Sequence, residues 1–388
     1  MTSPLPPPVR ERIVLADALR GFALMGLYIV HMVEYFELYW YKPEPGWIHN
    51  LIFFLFGGKA YGVFALLFGL SFFIILDNYR QRGMDFRPRF CWRLLLLLAF
   101  GYLHSLLYAG DILQLLALCG FLLVVTHNFS TRVLMLIAAF FLLQVPHVAI
   151  IVWHLLQPSG DNAQPLFFNL MGRNFDMFAH ASLPQLLAYN LLDGQQGKWM
   201  FFLETGRFWN IIGLMFAGAV LGRQGFFERR HSARALVIAI VIALGAFVLL
   251  TLIKPLLSLE DAPFMAQWSL QELVGYYINL SVIAAGVAIF VLLFQWRATG
   301  RLLALFAPAG RMTLTFYLGQ SLVFVPVFYG FGLAAYDSWG QAWSLVAGLA
   351  CWAVQLLIAR WWLSNHRYGP MEWVWRKLTF IGFRSPTA

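Results

Sequence analysis

The chain has 388 residues, of which 61% are apolar and only 12% charged, and its mean hydropathy is strongly positive. A soluble globular domain averages roughly half apolar and about a quarter charged, so composition excludes an ordinary soluble fold. The net charge of +9 would suit nucleic acid or an anionic membrane surface. Placement decides between them: the basic residues recur in short loops between apolar runs, which is a topology signal, and no nucleic-acid-binding motif accompanies them.

An apolar run of about 20 residues crosses the hydrocarbon core, and its backbone polar groups must be satisfied within the segment, so each such run predicts a helix. In chain order the runs cover 14–34, 51–76, 93–109, 112–127, 133–156, 207–222, 235–256, 271–295, 303–333 and 341–363. They predict an all-α polytopic transmembrane bundle of about ten spans, forming a single membrane domain over 1–388. The second run contains Gly57, Gly58 and Lys59, which predicts a short re-entrant piece followed by a helix. The ninth carries Pro308 and Pro326, which break or kink helices.

Alternate loops differ in charge. One set holds Arg10 and Arg12, then Arg80, Arg82, Arg87 and Arg89, then Arg223, Arg229, Arg230 and Arg234. Arg297, Arg301, Arg367, Arg376, Lys377 and Arg384 continue it. The other set holds Lys42, Arg173, Lys198 and Lys254, with Glu37, Glu44, Asp161, Asp176, Glu260 and Asp261 among them. The excess of Lys and Arg marks the cytoplasmic side and predicts both termini there, with residues 1–12 and 364–388 as cytoplasmic segments. The longest outer segment, 157–206, predicts a partly helical extracytoplasmic cap. Trp361, Trp362, Trp373 and Trp375 read as an aromatic belt, and Gly213 to Gly222 as a small-residue face on which subunits could pair in a homo-oligomer. Cys91, Cys119 and Cys351 have no metal-ligand or disulfide spacing and read as packing residues.

Ionisable groups inside the bilayer are costly and are candidates for function. Asp17, Arg20, Tyr28 and His31 share one face of the first span within roughly 80°. Asp17 and Arg20 stand i, i+3 and can neutralise each other. His31 lies about 16 Å further along the axis, in the outer half. Lys59, His104 and Asp111 map to a similar depth, with His49 just above them. Histidine with a carboxylate partner is a general-base arrangement, and the same groups could carry a proton in a transporter. No His-x-x-x-His or Cys-x-x-Cys spacing is present to predict a metal, and no Walker loop, dinucleotide glycine pattern or Gly-x-Ser-x-Gly elbow occurs.

Several blocks resemble one family. Asp17-Ala-Leu-Arg20-Gly21 through Gly26, Gly58-Lys59, and Leu67-Phe68-Gly69 resemble the opening of the YeiB-like bacterial multipass proteins. Arg93, Gly101-Tyr-Leu-His104 and Gly110-Asp111-Ile112-Leu113 are similar to that family's next block. Gly218 to Gly225, Gly310-Arg311-Met312-Thr313 through Tyr317, Gln320-Ser321, and Gly369-Pro370-Met371-Glu372-Trp373 resemble its later ones. One position departs: at the end of the first span, where YeiB-like proteins usually have Asn, this chain has His31, as sugar O-acyltransferases do.

The resemblance implies an inner-membrane acyltransferase that takes an acyl group from cytosolic acyl-CoA or acetyl-CoA to an extracytoplasmic sugar or lipid-linked acceptor. Carried onto this chain, Arg20 and Arg93, with Asp17, would hold the coenzyme A phosphates. His31 or His104 would deprotonate the acceptor while Asp111 fixes the imidazole tautomer, and Lys59 would stabilise the oxyanion. His49, Tyr317 and Gln320 would contact the acceptor. A proton-coupled transporter of a small metabolite or anion is the alternative reading of the same groups, and a non-catalytic membrane scaffold is a third.

Overall fold

The computed structural model describes residues 12–157, 163–257 and 262–381. Arg10, Asp161, Glu260, Asp261 and Arg384 therefore lie outside the described residues. Among those described, the chain is helical throughout, without strands. Six helical segments are long and apolar enough to cross a bilayer, and a seventh if one bent pair counts as a span. The chain is a multi-pass membrane protein.

The first apolar run forms α1 (Val14–Val33), the most enclosed span: 72% of its apolar window is buried inside the bundle. The second forms α2 (Trp47–Leu55) and α3 (Ala60–Arg80), broken where the glycines predict. Gly58 takes the left-handed conformation at φ 72° that glycine adopts without strain, and Lys59 Nζ donates to the Phe53 carbonyl at 2.9 Å, satisfying an acceptor freed by the break. The third and fourth runs form α4 (Arg87–Ser105) and α5 (Leu113–Val125). The fifth forms α6 (Thr131–Leu142) and α7 (Val145–Leu155), broken at Gln144.

The predicted cap folds as three helices, α8 (Leu166–His180), α9 (Leu183–Asn190) and α10 (Asp193–Glu204). Ser182 and Gln185 cap α9 reciprocally, and the Glu204 carboxylate accepts from the first backbone amides of α8, Leu166 and Phe167, at 3.0 Å each. The bundle then resumes with α11 (Arg207–Arg223), α12 (Ala233–Ile253) and α13 (Phe264–Phe294). The ninth run breaks into α14 (Arg297–Leu303), α15 (Ala307–Arg311) and α16 (Thr313–Phe328), with a 74° bend before α16. That bend falls at Met312, between the two prolines: Pro308 opens α15 and Pro326 sits in the last turn of α16. α17 (Gly340–Asn365) and α18 (Pro370–Thr379) complete the described chain.

Each of the ten expected runs holds a helix, but three miss the dimensions of an apolar span. α5 has 13 residues, α11 has 17, and α4 carries Arg87, Arg89 and Arg93. The span count shown is therefore six or seven.

Two glycine contacts set the core. A Cβ on Gly69 of α3 would fall 1.8 Å from the Met215 carbonyl oxygen, and one on Gly218 of α11 would fall 1.8 Å from that of Leu66. Backbones approach this closely only where neither helix carries a side chain. Gly310 of α15 meets the Asp17 carbonyl of α1 in the same way, also at 1.8 Å. The Gly213–Gly222 face expected to pair subunits is thus used inside the chain: Gly213 meets Leu142, Gly218 meets Leu66 and Gly222 meets Phe73.

The arginine-bearing loops gather at one end of the bundle. Arg223 donates to the carbonyls of His127 and Phe129, Arg230 to that of Gln295, Arg311 to that of Arg367, and Arg89 to those of Thr379 and Ile381. The cap closes the opposite end, where Asn190 Nδ2 donates to the Leu106 carbonyl and Gly330 N to that of Phe178.

Candidate functional site

Two cavities lie inside the bundle, one above the other. The larger, about 860 Å³, sits under the cap and is lined by α1, the α2–α3 break, the α4–α5 loop, α8, α10 and the start of α11. The smaller, about 300 Å³, lies toward the arginine-rich end between α1, α3, α4, α5 and α16, with α18 beneath it. Leu27, Ile112 and Tyr317 line both, so a septum of three side chains separates them.

The His104–Asp111 pair lines neither cavity but lies directly behind that septum, packed against Tyr317. His104 and Asp111 come from the end of α4 and the loop before α5, and both are buried. His104 Nδ1 lies 2.7 Å from Asp111 Oδ2, and Asp111 Oδ1 accepts the Gln114 amide at 3.2 Å. A carboxylate beside Nδ1 assigns the ring proton to that nitrogen and leaves Nε2 as the lone-pair acceptor. Nε2 is buried and, among the described residues, has no hydrogen-bond partner. The ring packs at 5.2 Å from Tyr317 and 5.9 Å from Tyr108, and both tyrosines line the larger cavity. The Tyr317 hydroxyl accepts the Ile112 amide at 3.1 Å, tying α16 to the dyad's loop.

His31 lines the larger cavity and also packs on Tyr108, at 5.3 Å between ring centroids. Lys59 lines the same cavity while bonded to the Phe53 carbonyl. His49 is at its rim, stacked between Tyr39 and Phe53 at 4.1 Å from each. Gln320 is not brought to either cavity: its amide donates to Gln355 Oε1 at 3.1 Å, because α16 turns that face toward α17.

Arg20 and Arg93 both line the smaller cavity, but their environments differ. Arg20 is bonded to Asp17 at 3.1 Å, to Ser71 Oγ at 2.7 Å and to the Gly310 carbonyl at 3.4 Å. Asp17 also pairs with Arg12 and lines neither cavity. This ion pair holds α1 to α3 and α15. The Arg93 guanidinium instead lies 3.5 Å over the Trp375 ring and, among the described residues, forms no hydrogen bond, so its donors remain for a ligand. Trp375 is therefore a wall of the cavity rather than part of an aromatic belt, its indole donating to the Arg93 carbonyl. Glu372 on α18 accepts the amides of Leu314 and Thr315 and the Thr315 hydroxyl, at 2.7, 3.1 and 2.6 Å, and so caps α16.

Sequence reasoning assigned four cavity residues to loops or left them aside: Glu34, Glu37, Lys198 and Arg207. Glu34 accepts from Trp40 Nε1, and Glu37 from the Tyr108 hydroxyl at 3.1 Å. Lys198 is buried, and its Nζ donates to Gln195 Oε1 at 2.9 Å. Burial pushes its ammonium down to about 8, against the opposing pull of Asp111 and Glu37. Gln114 Nε2 donates to the same Gln195 oxygen at 3.3 Å, so a buried polar chain runs from the cap through Gln195 and Gln114 to Asp111. Among the described residues, no group of three His, Cys, Asp or Glu side chains has the geometry to hold a metal ion.

The comparisons with known proteins agree on kinship. Residues 221–382 match the family described as "Protein of unknown function (DUF418)". The chain is 26% identical to the "Uncharacterized protein YxaH" of Bacillus subtilis (strain 168), over 99% of this chain and 98% of that protein. It is also 26% identical to the "Uncharacterized protein YeiB" of Escherichia coli (strain K12), over 95% and 96% respectively. The chain thus resembles YeiB along nearly its whole length. A third relative, from Bacillus acidopullulyticus, is described as an "Uncharacterized 39.9 kDa protein in amylase 3'region" and is likewise 26% identical, over 95% of this chain and 94% of that protein. These similarities extend over 95% or more of this chain.

Proposed function

We propose that this YeiB-like protein is a membrane acyltransferase that moves an acyl group from acyl-CoA, bound at the arginine-rich end, to a hydroxyl acceptor held under the cap. The observation that carries the reading is a buried His–Asp pair with an unpartnered imidazole nitrogen, beside a thin septum between two cavities. In this reading the ten helical runs are ten spans, the arginine-rich end is cytoplasmic by its excess of basic residues, and the membrane is the bacterial inner membrane.

The smaller cavity suits an acyl-pantetheine arm, with Arg93 at the phosphates through charge-assisted hydrogen bonds. The acceptor hydroxyl reaches His104 Nε2 between Tyr108 and Tyr317 and gives up its proton there. The acceptor oxygen bonds to the thioester carbonyl carbon, and the resulting oxyanion is stabilised by nearby donors, Lys59 among them. Collapse breaks the carbon–sulfur bond, and the His104 imidazolium returns its proton to the departing thiolate. Asp111 holds the tautomer that makes Nε2 the base. His31, packed on Tyr108 as well, orients the acceptor, with His49 at the rim.

A proton-coupled transporter is the second reading, favoured by the septum itself and by the 74° break beside α16, since two half-cavities around a broken helix also suit alternating access. Donor binding separates the two. Acetyl-CoA should bind the detergent-purified full chain saturably, and Arg93→Gln should weaken it by about tenfold through loss of a charge-assisted contact. Absence of binding across several acyl-chain lengths, with proton-coupled uptake in proteoliposomes, would decide for the transporter.

A further inference from the structure

The cavity under the cap carries three cations on three separate elements: Lys59 at the α2–α3 break, Lys198 on α10 and Arg207 at the start of α11. None of them forms an ion pair among the described residues. Lys59 and Lys198 each donate to one neutral oxygen, and the Arg207 guanidinium lies 4.4 Å over the Phe201 ring with no hydrogen bond of its own. The two carboxylates that share the cavity, Glu34 and Glu37, are each taken by a neutral donor, the Trp40 indole and the Tyr108 hydroxyl. Cations inside a protein are costly unless an anion answers them. Here Asp111 and Glu37 act on Lys198 only from a distance, and among the described residues no carboxylate makes a direct ion pair with any of the three cations.

Much of the remaining lining is aromatic, including Phe53, Phe167 and Phe201. One wall also faces outward: Phe54 lines the cavity and is 49% exposed on the bundle surface, beside the exposed Leu51 and Leu55 of α2. Glu34 and Glu37 follow the last residue of α1, so the cavity sits where a span ends and headgroups begin. Their carboxylates are acceptors suited to hydroxyl groups.

We infer that the cavity under the cap binds a phosphate-bearing lipid whose headgroup carries free hydroxyls, with the phosphate among Lys59, Lys198 and Arg207 and the apolar chains leaving past Phe54. As acceptor, this lipid names the substrate class of the acyl-transfer reading and rests on it; as a bound ligand, it stands without any acyl donor.

Binding is therefore measured with no acyl-CoA present, using the full chain in phosphatidylcholine nanodiscs doped with phosphatidylglycerol and counting retained phosphatidylglycerol by mass spectrometry. Wild type should enrich phosphatidylglycerol over phosphatidylcholine. The double variant Lys198→Gln/Arg207→Gln should lose that enrichment by about tenfold, as expected for two charge-assisted phosphate contacts, while Ala298→Gln at the opposite end should keep it. Arg207→Gln alone, which breaks no hydrogen bond or ion pair among the described residues, serves if the double variant fails to fold, and Arg207→Lys should restore most of the loss. Equal retention of the two lipids by wild type would overturn the proposal, as would unchanged enrichment in both Gln variants. Displacement by glycerol 3-phosphate at concentrations as low as those of the lipid would also overturn it, by assigning the cations to a soluble phosphate. If the enrichment holds but no acyl transfer is ever seen, the lipid site stands and the acyl-transfer reading fails.

Discussion

His104 and Asp111 are seven residues apart, but the chain between them turns sharply through Tyr108 and Gly110, and the pair closes at 2.7 Å. Their common depth was legible in the sequence because both stand at one end of consecutive apolar runs, but whether Asp111 pairs with His104 or His31 was not. Nor was Lys198: in sequence it is one lysine in a long polar segment, and only the fold of α10 over the septum buries it. Its ammonium, pushed down to about 8 by burial, gives a pH prediction with a definite sign. Below that value Lys198 is charged and available to an anion; as pH rises through it, the charge is lost, well before an exposed lysine would lose its own. Anion retention under the cap should therefore fall across pH 8, while Lys198→Arg should hold it constant, as binding measured on either side of that pH will reveal. Glu372 gives a stability prediction. Its carboxylate caps α16 with three accepted hydrogen bonds, so Glu372→Ala should cost about 1–2 kcal/mol, read as a lowered thermal midpoint in detergent.

Among elements, the ten apolar runs foretold ten helical regions, and the glycines and prolines foretold the breaks at Gly58 and beside α16. Hydrophobic runs and backbone-restricting residues are local signals, so they survive reading one residue at a time. The break at Gln144 carried no such mark. That residue takes a left-handed φ of 54°, and its side-chain amide donates to the Gly206 carbonyl across the bundle, a contact visible only in the fold. Helix pairing was equally hidden. Gly218 read as a face for another subunit, yet it is the crossing point of α11 and α3. Gly218→Val should therefore destabilise the chain by ~3 kcal/mol or more, since backbone rather than a flexible side chain stands in the way. Gly245→Ala on α12, where a Cβ meets nothing within 4 Å, should be neutral or slightly stabilising. Chemical unfolding of both variants beside wild type checks the pair.

For the whole molecule, charge asymmetry and geometry converge on two unlike ends, one tied together by arginines on loop carbonyls and one closed by three short helices. Ten spans with the arginine-rich end inside predict opposite accessibility for two exposed sites in a background lacking the native cysteines. Asn169→Cys on α8 should react with an impermeant thiol reagent added outside intact cells, and Ala298→Cys on α14 only after permeabilisation. The sequence located the polar groups by depth along the spans; it had no means to tell that Arg20 is neutralised by Asp17 while Arg93 keeps its donors free, or that a septum divides the interior. The septum with the dyad behind it is where acyl transfer would take place. The most direct test is transfer of a radiolabelled acetyl group from acetyl-CoA to the lipid or glycan fraction of proteoliposomes, comparing wild type with Asp111→Asn. Labelled acceptor from wild type, reduced by about 100-fold or more in the variant while acetyl-CoA still binds, is the predicted result for loss of general-base catalysis. Equal transfer by both proteins would contradict the dyad's role, and no transfer by wild type to any acceptor fraction would contradict the acyltransferase itself.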